Sequence, residues 1–569
     1  MQEKRKELFQ AIIVFLVIAA AVFVAIDQTL PPSALPADAA VTEFSAGRAM
    51  EHIKEIAQQP RQVGEPGFEL AREYVMETLK EWGLDAQLQQ TEITVPQAFL
   101  SYYGWDIEPT RKVENILARM EGSASQDAVL LVAHLDSIGG PGASDDAHGV
   151  AVLLETARAL LAGPQPRNTI IFLFTAPEET GLHGSAAFIL EHPWSKQVKL
   201  VINFDAGGLS GPSELTNLSP RSGWLIRNLA KADPYVFASS GYGAGDSDFN
   251  TFRFYGFSGY AFDYARDRRK HTAFDTIENL NPASIQHQGY HALSLAHYFG
   301  NLDSLTDTKE PDPIFFNILR LGLLHYSQGM GIVITVICSL VFAGVMAVGI
   351  RKKLLTSRGI GLGTLVFLVS LVTAPLLVRI FWAILSNTVP TYEVKYYGHA
   401  VNEPLLLALF TSMEMAIIST WYALLQIIKR VNLPDLTMGA LALLFVAMVA
   451  LTITSPESSY SLTWSLLITL LANGFWFYSI RKDSNAFSAG QIIGFLVATI
   501  VTIVLFVPGI YMIFTGSNTD DLFLSMVMLV ITAGLLVAPL HIITRPCKWW
   551  LAIAAATAML IFLGVAIWI

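Results

Sequence analysis

The sequence predicts two folds in one chain: an α/β domain built on a mostly parallel sheet with helices on both faces, and an all-α polytopic membrane domain. Three observations carry this. Apolar runs short enough for buried strands (VLLVA at 129–133, TIIFLFT at 169–175, LVINF at 200–204) alternate with helix-period segments such as 149–162. From about residue 328 the composition turns abruptly to long apolar stretches. Only 15% of the 569 residues are charged and the mean hydropathy is +0.46, whereas typical soluble domains carry about 25% charged residues. A soluble globule could not hide that much apolar surface.

The expected domains are 1–40, 41–312 and 313–569. Residues 11–26 are apolar and follow Lys4, Arg5 and Lys6. A cleaved signal peptide rivals an uncleaved anchor here, because Ala37, Asp38 and Ala39 resemble a small-residue cleavage site. That site lies well past the apolar run, which favours the anchor. Pro31, Pro32 and Pro36 then make a short stiff linker. In 41–312, short β-branched runs separated by helices predict a sheet covered on both faces.

Eight further apolar segments follow, at 328–350, 360–385, 404–428, 435–453, 461–480, 489–515, 522–543 and 549–568. Each is long enough to cross a roughly 30 Å hydrocarbon core as a helix, so with the anchor nine spans are expected in the bilayer. Charge orients them. With Lys4, Arg5 and Lys6 in the cytoplasm, the loops on that side carry Arg351, Lys352, Lys353 and Arg358; Lys429 and Arg430; Arg481 and Lys482; Arg545 and Lys548. The opposite loops hold Lys395 and acidic groups such as Asp520 and Asp521. The N-terminus is thus expected in the cytoplasm and residues 41–312 outside it.

The net charge of −10 leaves no basic footprint for nucleic acid. The two cysteines, Cys338 and Cys547, both lie in the hydrophobic half. The polar half can therefore use neither disulfides nor thiolate ligands, and any metal there must be held by His, Asp and Glu. A cysteine-free outer domain with compact loops favours a bacterial cytoplasmic membrane over an endomembrane.

Five stretches of the polar half concentrate such ligands. His134-Leu135-Asp136 follows VLLVA; PGASDDAHG then brings Asp145 and Asp146; Pro177-Glu178-Glu179 follows TIIFLFT; Asp205 follows LVINF; and His271 opens HTAFDT. In open parallel sheets, sites form at the carboxyl ends of strands. Singly, each stretch has a bland reading. An HxD is most often an ordinary loop, adjacent glutamates a solvated pair, Asp145-Asp146 a helix cap with first-turn acids, and Asp205 a turn cap. Their joint order and placement at several strand ends is what a metal site needs.

These stretches, together with PRQVGEPG at 60–67, EHPW, NFDAGGLSGPSE and SDFNTF, resemble the co-catalytic two-zinc aminopeptidase family, which also includes enzymes of the glutamate carboxypeptidase type. The order of anchor, peptidase and helical membrane domain resembles its multi-span branch, typified by endoplasmic-reticulum metallopeptidase and fungal vacuolar membrane protease. The resemblance implies two Zn²⁺ and a peptide substrate. It places His134 and Asp205 on one zinc, Glu179 and His271 on the other, and Asp145 as the bridge, four residues before Gly149. It makes Glu178 the general base and Asp136 the carboxylate that fixes the His134 tautomer, with Asp146 following the bridge without binding metal. Ser247 and Asp248 match a pair that supports the site.

Departures from the family pattern are Asp205 where the branch often has Glu, Lys270 where Tyr is frequent, and His148 in place of a small residue. The last two could change the charge of the pocket. His183, in GLHGS, reads as structural or exposed. The expected activity is removal of N-terminal residues from peptides at the outer face. Alternatives are carboxypeptidase action on the same fold, or a transporter or scaffold with a ligand-binding peptidase-like domain. Glu414 falls mid-span, where an ionisable group is costly; it either pairs with Arg379 in the preceding span or stays neutral and hydrogen-bonded within the bundle.

Overall fold

The computed structural model describes residues 2–568 apart from 105, 234–235, 241–244, 265, 268, 306–307, 390–402, 429–430, 481–486, 517–521 and 547–548. Several loop charges that orient the spans (Lys395, Lys429, Arg430, Arg481, Lys482, Asp520, Asp521 and Lys548) and Cys547 lie outside the described residues. The chain forms two compact units, one of Leu30–His325 and one of Met1–Thr29 with Tyr326–Ile569. Helix α1 (Gln2–Asp27) belongs to the second.

In the first unit the order is α2 (Ala46–Ile56), α3 (Pro66–Glu81), β1 (Asp85–Thr94), α4 (Gln97–Tyr103), β2 (Thr110–Met120), β3 (Ser125–His134), α5 (His148–Leu161), β4 (Asn168–Thr175), α6 (His183–Glu191), β5 (Val198–Phe204), β6 (Glu214–Leu218), α7 (Gly223–Ala232), α8 (Asp248–Phe254), β7 (Gly259–Asp263) and α9 (Pro282–Gly300), then the hairpin strands β8 (Pro313–Asn317) and β9 (Leu323–Ser327). The three strands read from apolar runs are β3, β4 and β5, and the helix expected at 149–162 is α5.

The seven-stranded sheet runs β1-β2-β4-β3-β5-β7-β6. Its inner strands β4, β3, β5 and β7 are parallel, and β1, β2 and β6 add antiparallel edges, so the sheet is mixed. Alternation along the strands separates two cores. Val129, Leu131 and Ala133 join Ile170, Phe172, Phe174, Ile202 and Phe204 on one face. Leu130 and Val132 join Ile171, Leu173 and Val201 on the other. Because both faces are covered, these strands have no polar side, which is why they read as unbroken apolar runs. Each fully buried Leu, Ile or Phe contributes roughly 1.5–3 kcal/mol, so the carboxyl edge of the sheet is a rigid platform for its loops.

The second unit adds to α1 the helices α10 (Gln328–Arg351), α11 (Ser357–Thr388), α12 (Glu403–Ile428), α13 (Leu433–Thr454), α14 (Tyr460–Ser479), α15 (Ala489–Gly516), α16 (Leu522–Leu535), α17 (Val537–Thr544) and α18 (Trp550–Trp568). Among the described residues seven helices are long and apolar enough to cross a membrane, or eight if α16 and α17, bent by 73°, are one broken span. The sequence led to nine. The difference is α14, a 20-residue helix whose Tyr460, Thr463, Thr469 and Asn473 dilute its apolar character. Small residues let helices approach closely: a Cβ on Gly439 of α13 would meet the Thr364 backbone nitrogen of α11 at 2.4 Å. Glu414 is fully buried, and among the described residues neither carboxylate oxygen has a hydrogen-bond partner, so the expected hydrogen-bonded pairing with Arg379 is not seen.

Candidate metal centre

Strand ends deliver the site. β3 ends on His134, β4 ends shortly before Glu178 and Glu179, and β5 ends immediately before Asp205. The His134 ring Nδ1 faces the Asp136 carbonyl oxygen at 3.0 Å, which fixes the proton there and turns the Nε2 lone pair into the site. Nε2 lies 3.0 Å from Asp145 Oδ1 and 3.8 Å from Asp205 Oδ1. The Asp136 carboxylate is 3.7 Å from Nδ1, too far for a hydrogen bond. It accepts instead the amides of Glu178, at 2.9 Å, and Glu179, at 3.1 Å. The tautomer is thus held by the backbone carbonyl of Asp136, and its carboxylate positions the two glutamates.

Asp145 is the centre of the arrangement. His134, Asp145 and Asp205 form one group of potential metal ligands and Asp145, Glu179 and His271 another, each with its ligand atoms within 4.8 Å of one another. The His271 Nε2 lies 2.8 Å from Asp145 Oδ2 and 3.1 Å from Glu179 Oε2. Glu179 Oε1 is buried without a hydrogen-bond partner, a costly state for a carboxylate unless a cation meets it. The donors are imidazoles and carboxylates with no thiolate, a set that suits zinc in a site with open positions.

Asp146 points away from both groups. Its carboxylate accepts the His134 amide at 3.0 Å and, from the first turn of α5, the Gly149 amide at 3.1 Å. The bland reading of the acidic pair therefore holds for Asp146 and not for Asp145. Asp248 lies beneath the site, fully buried, and accepts from the Thr175 hydroxyl; Ser247 precedes it at the start of α8. His183 is buried, with Nε2 3.3 Å from the Pro109 carbonyl oxygen.

Of the two departures expected to change the pocket's charge, one does so directly. The Lys270 Nζ makes an ion pair with Asp145 Oδ2 at 2.9 Å and donates to the Ala206 carbonyl at 2.8 Å. His148 is fully buried away from solvent. Its Nδ1 lies 2.5 Å from the Ser144 carbonyl oxygen and 3.1 Å from Asp146 Oδ1. Its Nε2 meets Gln288 Oε1, whose amide nitrogen is occupied by the carbonyls of Asp205 and Phe262. Both ring nitrogens therefore face acceptors, the arrangement of a doubly protonated imidazole. Burial opposes that charge, but Asp146 outweighs it and raises the His148 pKa.

The same contest sets the other charges. Burial, with Asp205, Glu179 and Asp248 outweighing the pull of His134, holds the Glu178 carboxyl well above its usual range. Burial alone would raise Asp145, but Lys270, His134 and His271 hold it well below. Burial works against the Lys270 ammonium, yet Asp145, Asp205 and Asp263 keep it charged far above its usual range.

Two functional positions escaped the sequence reading. Asp275 takes the amides of Ser144 at 2.6 Å and Asp145 at 3.1 Å, and so fixes the backbone that presents Asp145. It stands inside HTAFDT, but nothing local shows that its partners lie 131 residues away. Arg61, in PRQVGEPG, is fully buried and donates to the carbonyls of Leu135, Pro141 and Gly142, pinning the loop between His134 and Asp145.

Residues 115–296 match the model of peptidase family M28. The chain is 27% identical over 451 residues to endoplasmic reticulum metallopeptidase 1 of Mus musculus, covering 70% of this chain and 47% of that protein. It is 30% identical over 270 residues to the vacuolar membrane protease of Candida albicans, covering 46% of this chain and 30% of that protein. The chain thus spans about half the length, or less, of these curated relatives. Among solved structures it aligns with an aminopeptidase from Aneurinibacillus sp. strain AM-1, at 15% identity and a TM-score of 0.38, over 48% of this chain and 96% of that one. The family-model match takes in β3, β4 and β5 with every candidate ligand of the two groups, and the chain accordingly carries a segment, residues 115–296, that matches peptidase family M28.

Proposed function

We propose that the domain is a two-zinc peptidase that removes N-terminal residues from peptides. The observation that carries this is the sharing of one carboxylate, Asp145, between two complete ligand groups. His134, Asp145 and Asp205 would hold one zinc, and Asp145, Glu179 and His271 the other. Two such ions lower the pKa of water and polarise the scissile carbonyl. Glu178 takes the proton of the attacking water and returns it to the leaving amine. Asp136 holds Glu178 and Glu179 through their amides, so base and ligand keep their one-residue offset.

The relatives' names, a metallopeptidase and a protease, support hydrolysis of peptides; the aminopeptidase direction follows the family resemblance. We place the domain outside the cytoplasm, on the loop charges of the sequence. The relatives are named for the endoplasmic reticulum and the vacuole, so the expected bacterial cytoplasmic membrane finds no support among them. A domain facing away from the cytoplasm is compatible with either.

The test is a panel of free and terminally blocked peptides, assayed on the full chain in detergent with metal analysis and a Glu178→Gln control. The expected result is close to two zincs per chain and chelator-sensitive release of N-terminal residues. In the Glu178→Gln control zinc is kept and kcat falls by on the order of 10²–10⁴. A metal-free, inactive wild type would overturn the proposal in favour of a binding domain, and release from the C-terminus would reassign it to a carboxypeptidase.

A further inference from the structure

Asp145 offers its two oxygens to different groups. Oδ1 faces His134 Nε2 at 3.0 Å, whereas Oδ2 faces His271 Nε2 at 2.8 Å and so belongs with Glu179. Lys270 pairs with the second oxygen, at 2.9 Å, and its Nζ also donates to the Ala206 carbonyl at 2.8 Å. Among the described residues no ion pair joins Lys270 to Asp205, the remaining carboxylate of the first group. The pocket's fixed cation therefore touches a ligand oxygen on the His271 side, and acts on Asp205, on the other side, without an ion pair among the described residues.

We propose that Lys270 competes for the ion at Asp145, Glu179 and His271, so that the two metal positions load unequally, the His134 position first and the His271 position second. The inference rests on the two-zinc reading above. An ammonium in contact with a ligand oxygen draws on the electron pair the metal needs, and its charge repels a dication nearby. An ion at His134 would meet Asp145 Oδ1, which faces His134 Nε2 and not the ammonium. The second ion thus exchanges at free zinc levels at which the first stays bound, and zinc supply can set the fraction of fully loaded peptidase.

The test titrates the chelator-stripped full chain in detergent with zinc ions, following binding by competition with a chromophoric chelator and counting ions by intact mass. Wild type is expected to bind in two separated steps, the weaker of which disappears in His271→Ala. Lys270→Met, which keeps the stem and removes the charge, should tighten that weaker step by on the order of 10–100-fold, the usual size of effects from residues around a metal, and leave the tighter step unchanged. Lys270→Arg should keep the wild-type gap, and Lys270→Gln serves if the Met variant does not fold. Two equally tight steps in wild type, or a weaker step that neither neutral variant moves, would overturn the role of Lys270 and leave the two-zinc reading standing. Fewer than two zincs at saturation in wild type would overturn that reading, and this inference with it.

Discussion

Asp275 grips the backbone of Asp145: its Oδ2 accepts the Asp145 amide at 3.1 Å while its Oδ1 accepts the neighbouring Ser144 amide at 2.6 Å. The shared candidate ligand is therefore set by a carboxylate that belongs to neither group. Asp275→Ala leaves two buried donors unpaired, at a cost of roughly 1–3 kcal/mol each. Zinc affinity is expected to fall on the order of 10–100-fold, read as zinc retained after dialysis against graded chelator. Retention equal to wild type would show that Asp145 is positioned by other means.

Gly139 is the second handle on the site. Its φ is +75°, and a Cβ there would come within 2.1 Å of the His271 carbonyl oxygen. Gly139→Ala should displace His271 and lower kcat/KM by about 100-fold, as ångström-scale misplacements of a reacting group do. Gly64→Ala is the control, because Gly64 has φ +89° with nothing within 4 Å. It should cost only backbone strain, about 1–2 kcal/mol in thermal unfolding, with kcat/KM intact.

Glu214 gives a pH signature. Burial, aided by Asp263 and opposed by Arg266, raises its carboxyl from 4.5 to about 8 in the folded domain. The folded state therefore keeps a proton that the unfolded chain releases above about pH 4.5. Its contribution to stability is full below that pH, declines as pH rises and is lost by about pH 8. Glu214→Gln should flatten the fall in unfolding temperature across this window and raise stability at pH 8 by a few kcal/mol. A parallel decline in wild type and variant would assign the slope to other groups.

Glu414 tests the helical unit by itself. Its carboxylate is fully buried and meets no hydrogen-bond partner among the described residues. Glu414→Leu, close in volume, should raise the detergent-phase unfolding midpoint by the equivalent of about 1–3 kcal/mol, since it removes a buried polar group without a partner. A fall of that size would reveal a partner gained in the membrane, and with it a role for the carboxylate.

The candidate ligands were legible because each follows a strand end or opens a short motif, and a sheet covered on both faces leaves a strong apolar signature in sequence. The edge strands β1, β2 and β6 were not. Partly exposed strands such as β1 carry no unbroken apolar run, and their pairing is set by neighbours far away in the chain. The role of His148 was equally hidden: its neighbours Ser144 and Asp146 are local, but Gln288, which completes its hydrogen bonding, comes from α9.

By itself the sequence determined which residue types reach the sheet edge, the absence of thiolate ligands from the polar half, and the presence of long apolar helices. Local pattern suffices for these, because periodicity and composition are properties of neighbouring residues. Only the tertiary structure decided that Asp145 belongs to two groups while Asp146 accepts a first-turn amide of α5, that Asp136 acts on the amides of Glu178 and Glu179, and that Lys270 lies against one oxygen of Asp145. Those are relations between side chains on separate loops, and they exist only once the sheet has brought the loops together.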